Sequence, residues 1–188
     1  MTPITEQLQV DRYRKLVREM MLTLEHEECE FNPDWVHDHG WKVVPVESMA
    51  RIPKDDIPRI VSVLKGRGYN SCVAVVTESG YLQPLGPSNH LLGDMPTCYL
   101  VSIDEADLQE LNRELGPFRF QLTDDDRSWA ISCNEWYNLF ASKPDLLEAM
   151  LGKPIQKAQE EFMEFASQLA RGNTDETLLR VARRYTAL

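Results

Sequence analysis

The feature that most constrains the fold is a short run of small and β-branched apolar residues, SCVAVVT, at positions 71–77. Its apolar residues do not alternate with polar ones, as they do in a strand that has one face in water. No apolar run in the chain approaches the roughly 18 residues that a membrane-spanning helix needs. The run therefore predicts a β-strand that is covered on both faces.

More strands are predicted on either side of this run. The segment TCYLVSI at 97–103 is similarly apolar, and residues 118–122 alternate between apolar and polar side chains, the period of a half-buried strand. The next two segments, 129–133 and 136–141, continue this pattern as a meander. We expect a mostly antiparallel sheet of about five to six strands. Its candidate segments are 41–46, 71–77, 81–85, 97–103, 118–122, 129–133 and 136–141.

Four regions have the apolar spacing of helices: 5–28, 55–66, 104–115 and the C-terminal part of the chain. The apolar stripe of the first packs either on the protein's own sheet or on a second chain. Because strands and helices do not alternate throughout, the order favours an α+β fold over a doubly wound parallel sheet. We expect a single domain over 1–188, in which the C-terminal helices cover one face of the sheet. The alternative is a separate helical subregion at 143–188.

The charge and the cysteine content indicate the cellular location of the protein and the classes of partner that it can bind. The chain has 30 acidic and 20 basic residues, a formal net charge of -10. This excess of acidic residues disfavours nucleic acid as a partner, because proteins bind its phosphates through Lys and Arg side chains. The beginning of the chain lacks the apolar core of a secretory signal, and the four cysteines include no CxxC pair. These features predict a cytoplasmic protein with reduced thiols and no membrane association.

The densest group of potential metal ligands lies between positions 26 and 39. Zinc prefers thiolate and imidazole ligands in a tetrahedral array, and this segment holds one cysteine and three histidines. The spacing matches no standard zinc module, so a charged helix end followed by a solvated loop is the alternative interpretation. The predicted ligands are His26, Cys29, His37 and His39.

The remaining motifs offer little catalytic chemistry. The acidic run at 124–126 lacks the glycine and glutamate of an EF-hand loop, and neither GxSxG nor a phosphate-binding glycine loop occurs. The long loop 86–96 has the size of many binding loops, and it brings His90 close to Cys98 in sequence. No cofactor is predicted. If the protein is an enzyme or a metal-binding protein, we expect its site at 26–39 or at 86–98.

In the absence of a reactive constellation, the excess of negative charge is the most usable property of the sequence. A negative surface steers association with basic proteins, and carboxylates can mimic the phosphates that nucleases bind. The sequence thus predicts a small acidic protein-binding module with a basic partner: an inhibitor, an immunity protein or an adaptor. Its oligomeric state stays open. The residues expected to contact the partner are Glu27, Glu28, Glu30, Trp35, Asp124, Asp125 and Asp126.

One basic group stands out in this acidic chain. Arg180, Arg183 and Arg184 lie close together in the last predicted helix. Cations near the C-terminal end of a helix complement its dipole, which is one interpretation of this group. The other is that the arginines dock an acidic partner.

Overall fold

A computed structural model describes residues 1–23, 29–48, 51–77, 96–116, 118–170 and 176–186. Its strands are β1 (Thr2–Pro3), β2 (Met21–Thr23), β3 (Cys29–Phe31), β4 (Lys42–Glu47), β5 (Ser71–Val76), β6 (Cys98–Ser102), β7 (Phe120–Thr123), β8 (Trp129–Cys133) and β9 (Tyr137–Ser142). Its helices are α1 (Gln7–Met20), α2 (Pro33–Asp38), α3 (Ile57–Gly66), α4 (Glu105–Leu115), α5 (Pro144–Leu151), α6 (Ile155–Ala170) and α7 (Thr177–Thr186). The strand predicted at 81–85 lies outside the described residues.

Seven of these strands form one sheet in the order β1-β6-β5-β7-β8-β9-β4, in which every neighbouring pair is antiparallel. The other two, β2 and β3, form a separate antiparallel pair. The predicted α+β class, with an antiparallel sheet packed by helices, is confirmed. The sheet has seven strands rather than five to six. One of the additional strands is β1, two exposed residues without an apolar pattern that pair with Leu100 and Tyr99.

Helices cover both faces of the sheet, and each face has its own hydrophobic core. The first face carries α3, α4 and α5, and the second face carries α1, α2, α7 and most of α6. The C-terminal helices are therefore divided between the two faces instead of covering one. None of the described helices combines the length and the apolar character needed to cross a membrane.

The strand predicted to be covered on both faces, β5, is confirmed as such. Cys72, Ala74 and Val76 belong to the first core, while Val73 and Val75 belong to the second. The segment at 118–122 was expected to be half-buried, but every residue of β7 is buried, including the polar Gln121. This expectation was wrong because the side of the strand that Gln121 occupies is also packed: Gln121 pairs with Val75, which belongs to the second core.

The first helix is shorter than expected. It ends at Met20 rather than near residue 28, because residues 21–23 leave the helix and pair as β2 with β3. Its apolar stripe packs on the protein's own sheet rather than on a second chain: Val10, Val17 and Met20 are buried in the second core.

Candidate functional site

The residues predicted as metal ligands do not form a described cluster. His37 and His39 are exposed at the end of α2. The Nδ1 atom of His39 lies 2.8 Å from the backbone oxygen of Trp35, so this nitrogen is engaged within the helix. Cys29 is placed only as backbone in β3, and His26 lies outside the described residues. Within the part of the chain that the structure describes, no three His, Cys, Asp or Glu side chains are placed to hold a metal ion. The zinc site stays a prediction.

The carboxylates predicted to contact a partner have different environments. Glu27 and Glu28 lie outside the described residues. Glu30 has no exposed side-chain surface, and its carboxylate forms ion pairs with Arg180 and Arg184. Glu30 therefore lies inside the fold and has no exposed side-chain surface to offer a partner. Two of the three arginines, Arg180 and Arg184, thus pair with Glu30 of the same chain, and docking of an acidic partner stays a prediction.

The acidic run at 124–126 forms the turn between β7 and β8. Asp124 is buried, and its carboxylate accepts hydrogen bonds from the backbone N–H groups of Ser128 at 2.7 Å and Trp129 at 3.3 Å. Asp124 therefore shapes the turn, and little of its surface is exposed. Asp125 and Asp126 are exposed, and Asp125 lies 3.5 Å from the guanidinium of Arg12 on α1.

Arg127, the next residue of this turn, connects it to both neighbouring helices. Its guanidinium carbon lies 4.5 Å from the centre of the Trp35 ring on α2. One of its side-chain nitrogens lies 2.6 Å from the carboxylate of Glu19 on α1. The turn, α1 and α2 thus meet in one place, although their residues are far apart in sequence.

Neighbouring side chains hold the ring of Trp35 in place where the turn, α1 and α2 meet. Its ring stacks on the His39 imidazole, with 3.6 Å between ring centres and 16° between the planes. The indole remains half-buried, so part of its surface is open to solvent. We name this region the α2–turn surface. Its members are Arg12, Glu19, Asp34, Trp35, Asp38, His39, Asp125, Asp126 and Arg127.

The structure also places together residues that sequence reasoning missed. A cavity of about 380 Å³ lies between the edge strand β4, the beginning of α3 and the junction of α5 and α6. Its lining residues are distributed from Val46 to Phe162, and none of them belongs to a recognisable motif. We name it the edge cavity. Only the packing of α6 along β4 brings its walls together, so no local sequence signal could have revealed it.

Three cysteines are poorly suited to nucleophilic catalysis. Cys72, Cys98 and Cys133 are buried, and burial raises the pKa of each thiol above its ordinary value. Burial outweighs the nearby Arg14 charge at Cys98 and raises the pKa of that thiol to about 11. Because the thiolate is the reactive form, these side chains are inert near neutral pH. His90, the suggested partner of Cys98, lies outside the described residues.

Comparison with known proteins gives no assignment. No protein-family model, no curated protein and no solved structure matches this chain. Function is therefore inferred from the residues and their geometry.

Proposed function

We propose that this protein is a small acidic module that binds a basic protein partner through the α2–turn surface. An inhibitor, an immunity protein and an adaptor all act in this way, by occupying the surface of another protein. The observation that carries the proposal is the contact between Trp35 and Arg127, which joins two groups of candidate contact residues into one surface.

The charge of this surface favours a cationic partner. Five carboxylates belong to it, against two guanidiniums. The guanidinium of Arg127 is already paired with Glu19, and that of Arg12 with Asp125. Asp38 and Asp126 are exposed and make no described ion pair, so their charges are available to a partner. The formal net charge of -10 adds a long-range attraction for a basic protein.

The aromatic side chain favours a protein rather than a small cation. Tryptophan and arginine are enriched among the residues that contribute most to binding at protein interfaces. Trp35 is fixed between packed neighbours before a partner arrives, so little side-chain entropy is lost on binding. A half-buried, rigid indole surrounded by carboxylates is therefore a suitable centre for an interface with a basic surface.

The test measures the partner and the site together. The full chain is used to capture proteins from its source cells, and the dominant basic protein is purified for calorimetric titration at several salt concentrations. We expect binding to weaken steeply with salt. The variant D38N/D126N should bind about five- to tenfold more weakly, since each lost rim contact is worth up to about 1 kcal/mol.

A matched control separates the site from the net charge. The variant E160Q/E164Q removes two exposed carboxylates from α6, so it changes the net charge by the same amount. It should retain nearly full affinity. Equal losses in the two variants, or capture that is insensitive to salt, would contradict binding at the α2–turn surface.

A further inference from the structure

The edge cavity has the size of a binding site for a small molecule. Its volume of about 380 Å³ lies within the range of about 300–1,000 Å³ that is typical of ligand pockets. At about 30 Å³ for each water-sized group, this space holds roughly a dozen non-hydrogen atoms. A single lysine side chain from a partner has four beyond its Cβ. The volume therefore favours a free molecule over an inserted side chain.

Apolar side chains form part of its wall. Phe140 comes from the sheet, Leu151 from the end of α5, and Ala158 and Phe162 from one side of α6. All four are buried. These residues offer hydrocarbon surface to the chain of a ligand, whose burial is favourable by about 0.8 kcal/mol per methylene group.

The charged groups of the cavity leave a negative excess. Two of its four carboxylates are already paired: Asp56 lies 2.7 Å from Arg59, and Glu161 lies 2.6 Å from Lys153. These pairs use both cations of the lining. The other two carboxylates, those of Glu47 and Asp55, form no ion pair with a described residue.

Arg59 is fixed away from these two carboxylates. Its Nε atom donates a hydrogen bond to the backbone oxygen of Met150 at 2.8 Å, while a terminal nitrogen bonds to Asp56. Its side chain also packs against Gly152, where an added Cβ would lie 2.8 Å from the arginine Cδ. The cation is thus committed to the junction of α5 and α6, and it does not neutralise Glu47 or Asp55.

From the cavity, its apolar wall and these unpaired carboxylates, we propose that the edge cavity binds a small aliphatic amine. The ammonium group pairs with Glu47 and Asp55, and the hydrocarbon chain lies against Phe140 and Phe162. This site is separate from the α2–turn surface, so the two proposals succeed or fail independently.

The test uses purified full-length protein and a homologous series of amines from methylamine to 1-aminopentane. At about 0.7 kcal/mol per non-hydrogen atom, about half of the ceiling for small ligands, 1-aminopentane binds with about millimolar affinity, so calorimetric and NMR titrations extend to about 100 mM for the shorter amines. We expect affinity to rise about two- to fourfold with each methylene group. Pentanoate, with the same length and the opposite charge, should not bind. Backbone amide shifts should be largest at Glu47, Asp55 and Gly152.

Variants test which carboxylates pair with the ammonium group. E47Q/D55N should weaken the binding of 1-aminopentane about tenfold, whereas E160Q/E164Q and D38N/D126N should leave it unchanged within about twofold. Circular dichroism verifies that each variant is folded. The absence of saturable amine binding, or equal weakening in all three variants, would overturn the proposal.

A last ligand tests whether the ammonium group belongs to a free amine or to the lysine side chain of a partner protein. Nα-acetyl-lysine amide carries the same aliphatic ammonium on a peptide-like backbone. Weaker binding of this compound than of 1-aminopentane supports a free amine as the occupant. Tighter binding would overturn that assignment, because the cavity would then select a lysine side chain.

Discussion

At the scale of single residues, Gln121 is the least expected feature of the interior. It lies on the central strand β7 with no exposed surface, and neither its amide nitrogen nor its amide oxygen has a hydrogen-bond partner among the described residues. Burying an amide without a partner costs about 1–3 kcal/mol. The replacement Gln121→Met keeps the length of the side chain and removes the polar group. We expect the free energy of unfolding to rise by about 1–2 kcal/mol, measured by urea denaturation.

Asn138 provides the matched contrast. It is equally buried, but its amide nitrogen donates a hydrogen bond to the backbone oxygen of Arg51 at 2.8 Å. The replacement Asn138→Leu should therefore lower the free energy of unfolding by about 1 kcal/mol, because it removes a buried hydrogen bond while the Ser48 hydroxyl still donates to that oxygen. A loss of stability in Gln121→Met would instead show that the glutamine amide is hydrogen-bonded in solution, for example to an ordered water.

The same residue shows what the sequence could not predict. Gln121 alternates with Phe120 and Leu122, which correctly indicated a strand, and the alternation also suggested that the glutamine faces water. The local pattern determines which side chains share a face. It does not determine whether a helix from another part of the chain arrives to cover that face. For β7 that face is packed, since Gln121 pairs with Val75 of the second core.

At the scale of elements, α7 is held to β3 by a buried charge network. The Glu30 carboxylate, which has no exposed surface, pairs with Arg180 and Arg184. Beside it, the Phe31 backbone N–H donates to the hydroxyl of Tyr185 at 3.1 Å. The helical pattern around Arg180 was readable from the sequence. Its pairing with a carboxylate 150 positions earlier was not, because only the tertiary fold brings the two together.

This network predicts an asymmetry between its two sides. The variant R180M/R184M leaves a carboxylate buried without a counter-charge, and we expect it to lower the free energy of unfolding by about 3–5 kcal/mol. Glu30→Met leaves two arginines that are already partly exposed, at 53% and 26% of their side-chain surface, so they can turn toward water. Its cost should be clearly smaller. Urea denaturation of the wild-type protein and of the two variants measures both losses of stability. A larger loss for Glu30→Met than for R180M/R184M would show that the buried Glu30 carboxylate does not depend on the two arginines.

The candidate sites could likewise be predicted from the sequence only in part. The aromatic and acidic residues of the α2–turn surface could be selected from the sequence as types that bind partners. Their assembly around Arg127 could not, since α1, α2 and the turn are separated along the chain. The edge cavity had no signal at all, because its charged and apolar lining residues are ordinary members of five different elements and of the loops between them.

At the scale of the whole molecule, the C-terminal helices determine whether the chain unfolds as one unit. Helix α5 belongs to the core of the first face, whereas α7 belongs to that of the second. Helix α6 contributes Ala158 to the first core and Phe162 to the second. Helices α5, α6 and α7 therefore complete both cores. Removing them would expose apolar surface on each side of the sheet.

We therefore expect a single cooperative unfolding transition, which two buried tryptophans can report separately. Trp129 belongs to the first core and Trp41 to the second. When Trp129 is replaced by phenylalanine, Trp41 remains as a buried tryptophan, and its fluorescence reports on the second core, which contains α7. When Trp41 is replaced instead, the fluorescence of Trp129 reports on the first core, which contains α5. In each variant, urea midpoints from fluorescence and from far-UV circular dichroism should coincide. If the helical region 143–188 is a separate unit, circular dichroism will show two transitions, and its midpoints will not coincide with those from tryptophan fluorescence.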